Sequence, residues 1–433
     1  MNRAKRRYFA LWIVMLAAFL VLSGCRSGTT AQPSDPDPNT PNQVETGPDS
    51  ALPDENGKQE ESEPPADLIA SQLEQLTTAE KIGQLVLVGM DGTKPDKHTR
   101  QLLDDYQVGG FIFYKDNITD SSQALNLFNQ LKEDNASNPL PLFLSVDEEG
   151  GRVSRLPSEF SKMPTAAKIG GTGKAETAAE AYRIIGQALS GFGLNLDFAP
   201  VLDVHSNPDN PVIGDRAFGT TPEEVSLMGL AAMKGLSDTG VIPVVKHFPG
   251  HGDTSVDSHL GLPVVEHDLE RLREFELKPF ADAIESGADM VMIAHILLPK
   301  LDAEHPASFS PAVINDLLRQ EMGYEGVIIS DDMTMGAITE NYKIEQAAVD
   351  FITAGGNIVL VGHNYDQEIA VIEALTLAVE EGKISRDMLD QRVYQILKLK
   401  QKYALNNEPA EGTAAKAINA EISRYVKEYI GTP

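Results

Sequence analysis

Between Asp67 and Ala404 eight short apolar runs, rich in β-branched residues, alternate with segments whose apolar residues fall three and four apart. The runs are Ile82 to Gly89, Gly110 to Tyr114, Leu142 to Val146, Leu194 to Val201, Val241 to Val245, Met290 to Ala294, Gly326 to Ser330 and Asn357 to Val361. Ala178, Ile184, Ile185 and Leu189, or Val313, Leu317 and Leu318, illustrate the helical spacing that follows a run. This alternation predicts parallel strands linked by helices. Eight such units in about 340 residues predict an α/β fold, a single (β/α)8 TIM-type barrel with enlarged loops. A doubly wound open sheet, or two three-layer lobes, is the alternative.

Where the polar residues fall favours the barrel. Asp147 and Glu148 follow the third run, Asp203 the fourth, Lys246 and His247 the fifth, His295 the sixth, Asp331 and Asp332 the seventh, and His363 the eighth. A barrel places all of these strand ends on one face, where active sites sit. One polar strand end is a cap or a solvent contact, but six together call for a site. Glu148 and Glu149 precede Gly150 and Gly151 and read as solvated acids of a turn. His295 and His363 read as satisfied strand-end residues.

The flanks differ from this core. Arg3, Lys5, Arg6 and Arg7 precede an apolar run from Tyr8 to Leu22, about fifteen residues and short of the ~20 that a spanning helix needs. Ser23, Gly24 and Cys25 then complete the pattern of a secretory leader. The cysteine after Leu-Ser-Gly resembles the lipobox of bacterial lipoproteins, which implies that Cys25 is lipidated and that the protein is anchored to a membrane outside the cytoplasm. Residues 26 to 66 hold eight prolines, nine acids and no aromatic, a composition that reads as an extended tether. The expected divisions are therefore a signal peptide at 1–24, a lipidated tether at 25–66, a catalytic domain at 67–405 and a tail with a short helix at 406–433. With one cysteine there is no internal disulfide. The net charge of −28 repels phosphate backbones and excludes nucleic acid as a partner. The chain is read as a monomer.

The densest chemistry lies in Lys246-His-Phe-Pro-Gly-His-Gly-Asp-Thr-Ser-Val-Asp-Ser-His259, with three histidines, two aspartates and a lysine in fourteen residues. His251, Asp253, Asp257 and His259 are all metal-ligand types. A glycine loop fixes no coordination geometry, however, and no HExxH is present, so neither metal nor cofactor is expected. The other reading is acid/base work: Asp257 lies two residues from His259, close enough on a bent loop to hold the imidazole's tautomer.

Three of these segments, Lys246-His-Phe-Pro-Gly-His-Gly252, Asp257-Ser-His259 and Ile329-Ser-Asp-Asp-Met333, resemble the signatures of glycoside hydrolase family three, in particular its single-domain β-N-acetylglucosaminidases. Val146-Asp-Glu-Glu-Gly-Gly-Arg-Val-Ser-Arg155, Asn195 to Asp203 and Ile213-Gly-Asp-Arg-Ala-Phe-Gly219 are similar to further segments of that subgroup, which commonly has Gln at the place of Glu148. The resemblance implies that Asp331 is the nucleophile of a retaining mechanism and that His259 is the general acid/base with Asp257 as its partner. It also implies that Asp147, Arg155, Arg216, Lys246 and His247 bind the sugar. Because adjacent strand residues point oppositely, the residues alone leave Asp332 open as the nucleophile.

The expected function is removal of terminal β-linked GlcNAc from peptidoglycan fragments such as GlcNAc-MurNAc and muropeptides. The only tryptophan, Trp12, lies in the leader, which favours an end-on pocket over a long polysaccharide cleft. The alternatives are a β-glucosidase or β-xylosidase of the same family and, from another class, a lipid-anchored solute-binding protein.

Overall fold

The computed structural model describes residues 67–431 except Val256, His259 and Leu260. The leader, Cys25 and the 25–66 segment lie outside the described residues.

Among the described residues ten strands form: β1 (Val86–Val88), β2 (Gly110–Ile112), β3 (Phe143–Val146), β4 (Leu196–Asp197), β5 (Ile242–Phe248), β6 (Met290–Ile293), β7 (Leu297–Leu298), β8 (Asp302–Pro306), β9 (Val327–Ser330) and β10 (Val359–Val361). Eight of them pair in parallel in the order β10-β1-β2-β3-β4-β5-β6-β9. The ring closes where Ile329 bridges Ile358 and the N–H groups of Asn357 and Ile358 donate to the Ile328 carbonyl at 2.9 and 3.1 Å. The result is the (β/α)8 barrel, not an open sheet. β7 and β8 make a small antiparallel hairpin after β6.

The barrel strands are mostly apolar, with polar residues toward their C-terminal ends, because helices cover the outer face and side chains fill the inner one. Leu144, Leu196, Val244, Val291 and Ile328 are fully buried, each contributing roughly 1.5–3 kcal/mol of transfer free energy. Several helices begin at a capping residue. Asp120 caps Ser121–Asp134 by accepting from the Gln123 N–H, and Thr221 with Glu224 forms a capping box on Pro222–Ser237. The helix Ala175–Gly191 turns Ala178, Ile184, Ile185 and Leu189 inward, as its spacing predicts.

The first run is shorter as a strand than as a sequence. Ile82 and Gly83 belong instead to the helix Thr78–Gly83, nucleated by a capping box between Thr77 and Glu80. At the other end, the helix Ala415–Tyr425 buries Ile418, Ile422 and Tyr425 against Ala175–Gly191, and Glu421 receives Arg183 at 2.9 Å.

Candidate active site

The C-terminal ends of the barrel strands surround a cavity of about 360 Å³ whose lining includes Asp147, Arg155, Arg216, Lys246, His247 and Asp331. They arrive from four strands or the loops after them, β3 (Asp147, Arg155), β4 (Arg216), β5 (Lys246, His247) and β9 (Asp331), so the fold brings together residues up to 184 positions apart. β5 contributes two consecutive side chains to this lining. Its register against β6 slips between Val245 and Phe248, and such a bulge re-aims side chains that strict alternation would send to opposite faces.

At the floor lies a charged cluster. Lys246 Nζ sits 2.7 Å from Asp147 Oδ1 and 2.7 Å from Glu149 Oε1. Arg216 grips the same Glu149 with both Nε and Nη2 at 2.7 Å, the bidentate geometry that orients a guanidinium. Arg155 Nη2 lies 3.6 Å from Asp147 Oδ2. Burial pushes the Glu149 carboxyl up, but Arg216 and Lys246 more than offset it and hold the group far below the usual carboxylate range. Burial likewise disfavours the Lys246 cation, and Asp147 and Glu149 reverse this so that its pKa is raised. Both cations are therefore charged at neutral pH and form part of the cavity lining. Glu149 does not match the expectation of a solvated turn acid: it and Glu148 are only 2% and 1% exposed. Glu148 Oε2 accepts from the N–H groups of Arg155 and Leu156 at 2.7 and 3.1 Å, pinning the loop that carries Arg155. The signal for Glu149 was present in the run of three acids after β3; the turn-like glycines beside it pointed the wrong way.

His247 lines the cavity, and its Nδ1 lies 2.6 Å from Asp203 Oδ2, so Asp203 fixes the ring's orientation and leaves Nε2 toward Arg216 at 3.5 Å. The sequence placed Asp203 at a strand end without a role.

Asp331 and Asp332 are differently placed. Asp332 Oδ1 accepts from Thr334 N, Thr334 Oγ1 and Gly362 N at 2.9, 2.7 and 2.9 Å, and Oδ2 accepts from the Tyr114 hydroxyl at 3.1 Å. Four donors hold that carboxylate to the wall. Asp331 lines the cavity and takes the Asp332 N–H at 2.8 Å. Burial pushes the Asp331 carboxyl up, while His295, His247, that N–H and Lys246 together bring it below the ordinary value, so it is an anion at neutral pH. Its neighbour His295 is buried, bonding Ser308 Oγ at 2.8 Å and the Asp332 carbonyl at 3.0 Å. His363 is exposed at the rim and stacks on Tyr114 with ring centroids 4.3 Å apart.

The first residues of the loop after β5 pack closely against neighbouring segments. Gly250 has φ 127° and a Cβ there would stand 2.8 Å from the Glu276 Cβ, while a Cβ on Gly252 would meet the Val204 carbonyl oxygen at 1.7 Å. Asn210 Nδ2 donates to the carbonyls of His251 and Gly252 at 2.9 and 3.0 Å. Asp253 points away from the cavity lining to His267 Nε2 at 2.7 Å. Asp257 is half-buried; its expected partner His259 lies outside the described residues. Among the described residues, no group of three or more His, Cys, Asp or Glu is arranged to hold a metal ion.

Two anchored cations, a wall-bound carboxylate and a second carboxylate facing a small cavity suit capture of a neutral, hydroxyl-dense ring and attack on one of its carbons. Comparison with known proteins agrees. The profile of the glycosyl hydrolase family 3 N terminal domain matches residues 77–399. Beta-hexosaminidase A of Pseudoalteromonas piscicida is 34% identical over 398 residues, 80% of this chain and 66% of that protein. Beta-hexosaminidase LpqI of Mycobacterium tuberculosis is 36% identical over 334 residues, 75% of this chain and 83% of its own length. The structure of a glycoside hydrolase family 3 beta-N-acetylglucosaminidase from Paenibacillus sp. str. FPU-7 superposes with TM-score 0.78 at 40% identity, covering 82% of this chain and 69% of that one. The chain thus belongs to glycosyl hydrolase family 3, as a glycoside hydrolase of the β-hexosaminidase group.

Proposed function

We propose that this enzyme is a retaining exo-β-N-acetylglucosaminidase that removes terminal β-linked GlcNAc from peptidoglycan fragments, with Asp331 as nucleophile and Asp257 and His259 as the acid/base pair. The observation that carries the reading is the contrast between the two adjacent carboxylates: both line the cavity, but Asp332 is buried and occupied by four donors, whereas Asp331 is ionised and the more exposed of the two. Asp147, Arg155, Arg216, Lys246 and His247 grip the sugar. Asp331 attacks the anomeric carbon while His259, held by Asp257, protonates the departing glycosidic oxygen. A glycosyl ester on Asp331 results. His259 then takes a proton from water, the hydroxide oxygen bonds to the anomeric carbon, and Asp331 leaves, so two inversions give net retention. A histidine in this role does not repel an incoming anionic group as a second carboxylate does.

The peptidoglycan assignment rests on the leader and Cys25, which put the protein at a cell surface, and on a mature chain without tryptophan, which suits an end-on pocket. Mature protein carries its lipid on Cys25 and acts as a monomer. Mass spectrometry of the membrane fraction should find a diacylglyceryl group on Cys25, and Cys25→Ala should release the protein into the medium.

The test of the chemistry is release of an aryl group from a β-GlcNAc glycoside. Asp331→Asn should lower kcat by on the order of 10³-fold or more. A 5-fluoro-sugar should trap a glycosyl ester on the peptide containing Asp331. Normal turnover by Asp331→Asn, or a label on another peptide, overturns the assignment. Faster hydrolysis of glucosides than of GlcNAc glycosides would overturn the substrate class.

A further inference from the structure

The loop after β5 that carries Asp257 places His251 and Ser258 in the lining of the cavity. One buried side chain ties it down from inside. His251 is 2% exposed and lines the cavity, yet its ring nitrogens are both taken up: Nδ1 lies 2.8 Å from Thr254 Oγ1 and Nε2 lies 3.3 Å from Ser258 Oγ. Either tautomer links the two hydroxyls, since one nitrogen donates and the other accepts. Burial, helped by the charge of His247, pushes the ring down to about 4, so it is neutral at pH 7 and keeps both links. The backbone below it is fixed, because the His251 N–H donates to Asp203 Oδ1 at 2.6 Å. Beyond it, the Ser258 carbonyl accepts from the Ala337 N–H at 3.0 Å. Ala337 lies in the short helix Gly336–Thr339 that follows Asp331 and Asp332. Ser258 is thus held from two sides, by the His251 ring and by the segment bearing Asp331.

We propose that His251 is a positioning residue that acts through Ser258 to hold the Asp257 segment at a set reach from Asp331. The inference rests on the acid/base reading of Asp257 and His259 given above. Its consequence is selective: loosening the latch impairs protonation of the leaving group and spares attack by Asp331. A contact between His251 and the sugar would instead affect all substrates alike.

The test compares phenyl β-GlcNAc, whose leaving group needs a proton, with 2,4-dinitrophenyl β-GlcNAc, whose leaving group does not. His251→Phe keeps ring volume without the two links, and Ser258→Ala removes the other end. Each should cut kcat/KM on the phenyl glycoside about tenfold, in the range that small misplacements of a catalytic group produce, and on the dinitrophenyl glycoside less than about threefold. The double variant should be no worse than the poorer single one. Equal losses on both substrates, or additive losses, overturn the latch. If His251→Phe does not fold, Ser258→Ala alone decides. Asp257→Ala is measured beside them: a leaving-group effect there without one in Ser258→Ala refutes the latch and leaves the acid/base reading intact. No such effect in Asp257→Ala refutes that reading and the latch with it.

Discussion

Glu149 is the hinge of the charged floor, and Glu149→Gln isolates its charge while keeping its shape. The wild-type carboxylate accepts two bonds from Arg216 and one from Lys246, all at 2.7 Å, at a site only 2% exposed. An amide retains one acceptor oxygen and turns a nitrogen donor toward one of the cations. Lys246 keeps Asp147 at 2.7 Å, whereas Arg216 keeps only the Val212 carbonyl at 3.3 Å and the His247 ring at 3.5 Å. Breaking a buried pair by removing one partner costs roughly 3–5 kcal/mol, and the remaining acceptor puts this change near the low end, about 3 kcal/mol. A folded part of this size unfolds with an entropy of about 0.7 kcal/mol/K, from about 2.1 cal/mol/K per residue, so Tm should fall about 4 °C. The assay is thermal unfolding followed by circular dichroism, with KM for an aryl GlcNAc glycoside measured in parallel and expected to rise as Arg216 loses its orientation. The pH dependence follows from the direction of the shift. A depressed folded-state value stabilises fully above the unfolded-state value of about 4.3 and is lost only as pH falls further. The gap in stability between wild type and variant should therefore be flat from pH 8 to pH 5 and narrow below about pH 4. An unchanged Tm and KM, or a gap that closes already between pH 7 and pH 5, would refute the reasoning.

Other expectations follow from single groups. Asp332→Asn turns an amide N–H toward one or more of four donors and should cost about 1–3 kcal/mol, whereas Asp331→Asn should leave Tm nearly unchanged while abolishing turnover; differential scanning calorimetry separates the two. Lys400 is buried under the barrel, bonded to Gln84 Oε1, Gly109 O and Pro141 O at 2.6, 3.2 and 2.6 Å, and burial pushes its ammonium down to about 7. Unfolded chains bind that proton up to about pH 10.4, so wild-type stability should rise relative to Lys400→Met as pH goes from about 7 to 10, which urea unfolding at several pH values checks. Gly252→Ala would drive a methyl into the Val204 carbonyl and should cost at least about 1–3 kcal/mol, read as a lowered urea midpoint. Mature protein cut before Cys25 loses Trp12, its only tryptophan, and should emit tyrosine fluorescence alone; a tryptophan band would mean that the leader is retained.

The barrel was legible because its constraint is periodic and local. Eight apolar runs, each spent on strands buried on both faces, have few alternatives once helices alternate with them, and the chemistry at their C-terminal ends had to share one face. Asp147, Arg155, Arg216, Lys246, His247 and Asp331 could be named one by one, and all line one cavity. What stayed hidden depends on facing partners that lie far apart in the chain. Glu149 reads as a turn acid until Arg216 and Lys246 close on it, and Tyr114 is an ordinary strand-end aromatic until its hydroxyl reaches Asp332.

The sequence by itself determined the number of barrel strands, the face on which the site lies and the residue types in it, since these follow from hydrophobic period and strand ends, while the β7-β8 hairpin went unread. Only the tertiary structure decided which of two adjacent carboxylates, both in the cavity lining, is held by surrounding donors. Alternation along a strand says that Asp331 and Asp332 point differently but carries no absolute phase. The distinction came from contacts across the barrel, where Tyr114, Thr334 and Gly362 converge on Asp332 and leave Asp331 the more exposed of the two carboxylates in the cavity lining.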